Sequence, residues 1–345
     1  MAAGRGTISW NVGVGPELIT EYAGTTLRAY YTDAEVQLES QRVANERLQE
    51  LFGVSVIRLA ASPPAYVGVA ALGATLVYPE DSMPMVARRP IAGPRDVSRM
   101  RIPPSYLKHP AMAPFVEMHA FMSRRLGPRA RVGLGGGWEG PVTSAVLLRG
   151  QEFFTDLYLN PGAAHALLAT VTQSIVAFER EVRELLGRDL DEGVGICDDF
   201  AGLISPAMFP DFVLPYWETI YNAFGPAPRS LHSELLRKDH LSLLDGIGLT
   251  HVNFGEDQYL TVRDVVSATK IPFSWNVRTI EHMLRGTPET VRRAFMEAVR
   301  DGATELTTDL CARGIPLENI RAFVEVARKT ERGPVMVPAG PARYG

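Results

Sequence analysis

The chain has 345 residues, 46% of them hydrophobic and 21% charged, and a formal charge of -4. It lacks the basic excess that would neutralise phosphates, so nucleic acid is not an expected partner, and it lacks the run of about eighteen apolar residues that would span a membrane. Its two cysteines, Cys197 and Cys311, cannot build a disulfide framework, and the opening "MAAGRGTISWNVGVGPEL" has no apolar core of the signal-peptide kind, so the expected compartment is the cytoplasm.

In chain order, residues 1 to 50 read as an N-terminal helical extension. Within it "TDAEVQLESQRVANERLQELFG" (32 to 53) suits a cap packed beside a barrel entrance. Short β-branched or apolar runs follow at "VSVIRLA" (54 to 60), "ARVGLGG" (130 to 136), "GVGICDD" (193 to 199), "RSLHSE" (229 to 234), "LTHVNFG" (249 to 255), "IPFSWNV" (271 to 277) and "ATELTTDL" (303 to 310). Residues 88 to 105, rich in Pro and Arg, read as loop. The clearest helical segments are 161 to 187, 205 to 225 and 287 to 302, and in the first Ala164, Leu167, Leu168, Val171, Ile175 and Phe178 form one apolar stripe. Thr287, Pro288 and Glu289 mark the start of the third, while Thr290 stands where the Glu or Gln of a reciprocal capping box would be. Residues 331 to 345 read as a C-terminal tail.

Alternating strands and helices from about residue 50 to 328 imply parallel strands joined by crossover helices. No G-x-G-x-x-G opens a helix after the first run; "GLGGGWEGP" (133 to 141) lacks the spacing. The expected fold is therefore α/β, a single (β/α)8 TIM barrel over residues 51 to 330, rather than a dinucleotide-binding sheet.

In such a barrel the working groups stand at the carboxyl ends of the strands. There the sequence offers Trp138 and Glu139, Asp198 and Asp199, His232 and Glu234, Asn253 and Glu256, Asn276 and Arg278, and Cys311. His232 and Glu234 are two apart, so an extended strand points both to one face, and Cys311, 79 positions after His232, could add a sulfur donor to an N, O, S site with one position left open. The plainer alternative is that His232 caps a helix, Glu234 is a solvated acid and Cys311 a small buried hydrophobe. Cys197 alternates with Asp198 and is expected to face the helix layer, and His240 reads as part of a helix start.

Several stretches together resemble the uroporphyrinogen decarboxylase superfamily, and within it the methylcobamide:coenzyme M methyltransferase branch. They are "GPVTSAVLLRGQEFFTDLYLNPGAAHALL" (140 to 168), "GICDDFAGLISPAMFPDFVLPYWETIYNAFG" (195 to 225), the "LHSE" strand, and "RGTPETVRRAFMEAVRDG" with "GIPLENIRAFVEVAR" (285 to 328). The resemblance implies a single TIM barrel. In the methyltransferase branch zinc is held by a His-x-Cys pair and a later cysteine, so it implies His232, Glu234 (in place of the first cysteine) and Cys311 as ligands. A carboxylate in place of a thiolate is a harder donor, which keeps zinc first and brings iron or manganese into range. The arginine-bearing "R-Q-A-G-R" segment of the decarboxylases is absent, and Arg88, Arg89, Arg95, Arg99 and Arg101 lie too far along the chain to replace it.

The expected activity is metal-dependent transfer of a methyl or similar small group to or from a thiol or hydroxyl of a small molecule. Asp198, Asp199 and Glu139 are the catalytic candidates, and Trp138, Asn253, Asn276 and Arg278 the substrate-binding ones. A corrinoid donor would arrive on a separate protein, because the chain has no D-x-H-x-x-G signature. The rival enzyme is a metal-independent decarboxylase or lyase using Asp198 or Asp199 with loop arginines, and a third reading is a barrel kept as a binding subunit. A homo-oligomer is compatible with the sequence.

Overall fold

The computed structural model describes residues 8–190 and 192–330. The ten strands among them are β1 (Ser9–Val14), β2 (Ala60–Ala61), β3 (Thr75–Val77), β4 (Met85–Arg88), β5 (Gly133–Leu134), β6 (Val194–Cys197), β7 (Arg229–His232), β8 (His251–Asn253), β9 (Phe273–Asn276) and β10 (Glu305–Leu310). Six run parallel in the order β1-β10-β9-β8-β7-β6, and β2 pairs with β5 in parallel. The first strand lies beside the last, from Ser9 opposite Glu305 to Val14 opposite Leu310, which closes the ring into a (β/α)8 TIM barrel. Strands β3 and β4 form an antiparallel hairpin outside it.

Each of the seven runs read from the sequence overlaps a strand, the run 54 to 60 only at Ala60, where β2 begins, and the barrel begins earlier than residue 51. β1 falls in the segment expected to be a helical extension; Trp10, Val12 and Val14 alternate with Ser9, Asn11 and Gly13, a period-two pattern that pairs along the whole of β10. The rest of that segment is helical, at Pro16–Ala23, Leu27–Thr32 and Ala34–Phe52. The last of these starts on Asp33, whose carboxylate accepts from the N–H groups of Glu35 and Val36, and it lies against the barrel wall. Its Gln37 and Gln41, one turn apart and buried, exchange amide hydrogen bonds with Ser62 and Ala60 on the side of β2 away from β5. The two side chains thus take the place of a strand neighbour between β1 and β2.

Pro215 breaks the expected helix 205 to 225 into Phe209–Phe212 and Leu214–Asn222, because it has no N–H to carry the ladder across Val213. The cap of the helix Pro288–Asp301 also differs from expectation. Thr290 does what a Glu or Gln would do: its hydroxyl accepts the Thr287 N–H at 2.7 Å while Thr287 Oγ1 accepts the Thr290 N–H at 3.4 Å. Residues 1–7 and the expected tail at 331–345 lie outside the described residues. Among the described residues no helix is long and apolar enough to cross a membrane.

The interior of the barrel is polar. Asn253 Nδ2 donates to Ser274 Oγ at 2.6 Å, and Thr307 Oγ1 donates to Asn276 Oδ1 at 3.2 Å, all four residues being buried. These pairs brace the strand ends from below. The apolar core lies instead between strands and helices, around residues such as Trp217, Phe209, Leu306 and Phe323.

Candidate active site

At the carboxyl ends of β6 and β7 the chain alternates between two environments. Val194, Ile196 and Asp198 are buried against the helices, whereas Cys197 and Asp199 present donor atoms within 4.8 Å of His232 in a cavity of about 510 Å³. Asp198 is fully buried and accepts four hydrogen bonds, from the Val142 N–H (3.1 Å), the Thr143 N–H (2.7 Å), Thr143 Oγ1 (2.9 Å) and Trp217 Nε1 (2.8 Å). It ties β6 to two helices, and the cavity lining does not include it, so its expected catalytic place is corrected to a structural one. Cys197 is corrected in the opposite sense. Its thiol faces the cavity rather than the helix layer.

His232, at the end of β7, is the centre of the site. Its Nδ1 lies 2.6 Å from Asn253 Oδ1, and that oxygen also accepts the Gly255 N–H at 3.1 Å, so Nδ1 is the protonated, donating nitrogen. Nε2 therefore faces the cavity, with Asp199 Oδ1 and Glu234 Oε1 each 3.6 Å away. Glu234 Oε1 in turn accepts the Glu256 N–H at 3.0 Å, and Asp199 Oδ1 accepts the Glu234 N–H at 3.1 Å. Gly255 has a positive φ of 53°, and a Cβ there would collide with both Glu234 and His232. The β8 turn needs glycine for the acid and the imidazole to meet.

Charge and burial set the protons. Burial alone would lower His232, but its interaction with Glu234 and the charge of Asp199 outweigh that and push it up to about 9. Burial pushes Asp199 up to about 6, against the pull of His232. Glu139, buried beside Asp199, is pushed up to about 8; it contacts Cys197, and its Oε2 has no hydrogen-bond partner. For Glu234 burial is outweighed by His232 and the Glu256 N–H, leaving its carboxyl below the usual range. Both thiols are pushed well up: Cys197 by burial and the charges of Glu139 and Asp199, Cys311 by burial and the charges of Asp309, Glu17, Glu256 and Glu234.

Trp138, Glu139, Asp199, His232, Glu234, Asn253, Glu256 and Cys311, all singled out from the sequence, line this cavity together with Tyr66, Cys197 and Asp309. Asn253 serves as the support of His232. Asn276 and Arg278, expected to bind substrate, do not line it: Asn276 Nδ2 holds Glu256 Oε1 at 2.7 Å, and Arg278 pairs with Glu281 at 2.9 Å. His240 supports the fold, with Nε2 bonded to the Ile204 carbonyl and Nδ1 to the Arg237 N–H.

Of the three expected metal ligands, His232 and Glu234 are adjacent and Cys311 stands elsewhere on the cavity wall. Among the described residues, the set of metal-donor atoms lying within 4.8 Å of one another belongs to Cys197, Asp199 and His232. Donors around a tetrahedral zinc ion stand about 3.3–3.6 Å apart. The spacing of His232 to each flanking carboxylate fits a cation, and the imidazole presents a lone pair once its Nε2 proton leaves.

Fold and site define a TIM barrel with a polar, metal-competent cavity at the carboxyl ends of its strands. The uroporphyrinogen decarboxylase (URO-D) family model matches residues 12–330, and the chain belongs to that family. A solved methyltransferase from Methanosarcina mazei is similar over 95% of this chain and 94% of its own, with a TM-score of 0.73 and 19% identity, which is a likeness of fold. A protein from Listeria monocytogenes, described as a vitamin-B12-independent methionine synthase of unverified function, covers 95% of this chain and 98% of its own at 10% identity and a TM-score of 0.47. Among curated proteins no significant match is found.

Proposed function

We propose that the protein catalyses metal-dependent transfer of a methyl or similar small group to a thiol or hydroxyl of a small molecule. One observation carries the reading: His232 Nε2, fixed by Asn253, points into the cavity with carboxylate oxygens 3.6 Å away on two sides. His232, Asp199 and Cys197, the close set, would hold the cation, zinc first, with the sulfur drawn from Cys197 rather than Cys311 and Glu234 standing beside it, so that one tetrahedral position would stay open. Such an ion would lower the pKa of an acceptor thiol or hydroxyl placed next to it.

The protein's own groups do the rest. Asn253 keeps the imidazole in the orientation that ligation needs. As the acceptor sulfur or oxygen bonds the incoming methyl carbon, the bond from that carbon to its donor breaks, the donor keeps the electron pair, and the acceptor proton leaves to solvent through the carboxyl groups of Asp199 and Glu139. Trp138 and Tyr66 supply aromatic surface to the cavity wall. A corrinoid donor would be brought by a separate protein. The methyltransferase description of the M. mazei protein supports this reading over the decarboxylase one, as does the position of the arginines: Arg88, Arg89, Arg95, Arg99 and Arg101 do not line the cavity.

The test is the metal content of purified protein and of His232→Ala. Stoichiometric metal in the first and none in the second is expected, whereas negligible metal in both overturns the reading. In the cobalt-loaded protein, Cys197→Ser is expected to abolish the sulfur-to-metal charge-transfer band and Cys311→Ser to leave it; the reverse would return the sulfur ligand to Cys311.

A further inference from the structure

The mouth of the cavity carries five carboxyl groups, those of Glu139, Asp199, Glu234, Glu256 and Asp309, and His232 is the basic side chain among them. The two arginines that line the cavity stand at the other end of β6 and are already engaged. Arg183 donates to Glu179 at 2.8 Å and to the carbonyls of Asp189, Leu190 and Gly193, while Arg188 pairs with Glu192 at 2.7 Å. Among the described residues, a sulfonate, phosphate or carboxylate entering at the mouth would meet the like charges of Asp199, Glu234 and Glu256, with His232 as the single counter-charge.

A second feature points to what does fit. Glu139 is 7% exposed and lines the cavity, and its Oε2 has no hydrogen-bond partner. A buried acceptor of this kind is left for something that enters. Beside it stand the rings of Tyr66, Trp138 and Phe178. Carboxylates attract a cation at range, and aromatic rings replace the loosely held water of an alkylammonium group. Glu256 is held by the neutral donors of Asn276 and Thr279, which fix it without cancelling its charge. A divalent ion held at His232 would leave Glu256 outside its donor set.

We propose that the small molecule bound here is an organic cation, an ammonium or trimethylammonium compound with a short arm that reaches His232. Only the identity of the reacting arm, a thiol or hydroxyl, rests on the transferase reading; the charge preference stands on the cavity itself.

The experiment uses three thiols of one chain length that differ in their end group: 2-(trimethylammonio)ethanethiol, 2-mercaptoethanol and 2-mercaptoethanesulfonate. Each is titrated calorimetrically into zinc-treated and into chelator-stripped full-length protein. The expected order in both is cation, neutral, anion, with about tenfold or more between successive members. Glu256→Gln should narrow the advantage of the cation several-fold without changing the affinity for mercaptoethanol. Equal affinities, or a tighter sulfonate, in the stripped protein overturn the proposal even if zinc binds as expected. Failure to retain zinc with the order intact overturns the metal reading and leaves this one standing.

Discussion

The two faces of the β6 and β7 ends differ more than their sequences suggest. Outward, Asp198 has a hydrogen bond for every lone pair it can offer, and the Ser233 hydroxyl donates to the Asp198 carbonyl at 3.0 Å. Inward, Cys197, Asp199, His232 and Glu234 crowd one another with few neutral donors between them, and their proton affinities move accordingly. Adjacent residues thus divide the work. One face spends its polarity on holding the barrel together, and the other keeps its polarity unsatisfied, which is where chemistry and ligand binding draw their free energy.

The sharpest way to break that division is at the aspartates. Asp198→Ala strands four buried donors and should cost about 4–5 kcal/mol in urea unfolding, whereas Asp199→Asn should change stability by about 1 kcal/mol or less while metal content falls. Comparable stability losses in the two would erase the distinction. Next comes Glu139. Its carboxyl ionises at 4.5 when unfolded but only near 8 in the fold, so between those values the folded state binds more protons and stability falls as pH rises. Glu139→Gln should remove that slope, leaving the variant several kcal/mol, roughly 5, more stable relative to wild type above pH 8 than below pH 4.5; parallel pH profiles would show that Glu139 is not buried as an acid.

Asn253→Ala should weaken metal binding about 10–100-fold in chelator competition by freeing the imidazole to turn, and unchanged affinity would mean that Asn253 does not set the orientation of His232. Metal affinity in the wild type should climb as pH rises towards 9, because the incoming ion must displace the Nε2 proton. The smallest effect belongs to the outward face: Ser233→Ala should cost about 1 kcal/mol and leave metal content untouched.

Much of this was legible in the sequence. The seven strand runs and the spacing of His232 and Glu234 gave the barrel and the centre of its site, because parallel strands buried on both faces leave continuous apolar runs. The parity of β6 was legible too: Val194 and Ile196 mark the face that meets the helices, and Asp198 follows Ile196 by two. It was misassigned because a cysteine looks like core and an aspartate does not. The first strand was hidden by Asn11 and Gly13, which interrupt an apolar run but suit an inward face. The supporting roles of Asn253, Asn276 and Thr290 depend on partners distant in sequence or on a hydroxyl standing in for a carboxylate, and no local pattern announces them.

The glutamine pair on the helix Ala34–Phe52 has a consequence for motion. Where β1 and β10 share a ladder of backbone bonds, one edge of β2 is fastened by two side-chain amides that can let go by rotating. The hoop of the barrel therefore has a clasp, and amide deuterium uptake at Ala60 and Ser62 should report side-chain release there long before any strand parts from its neighbour.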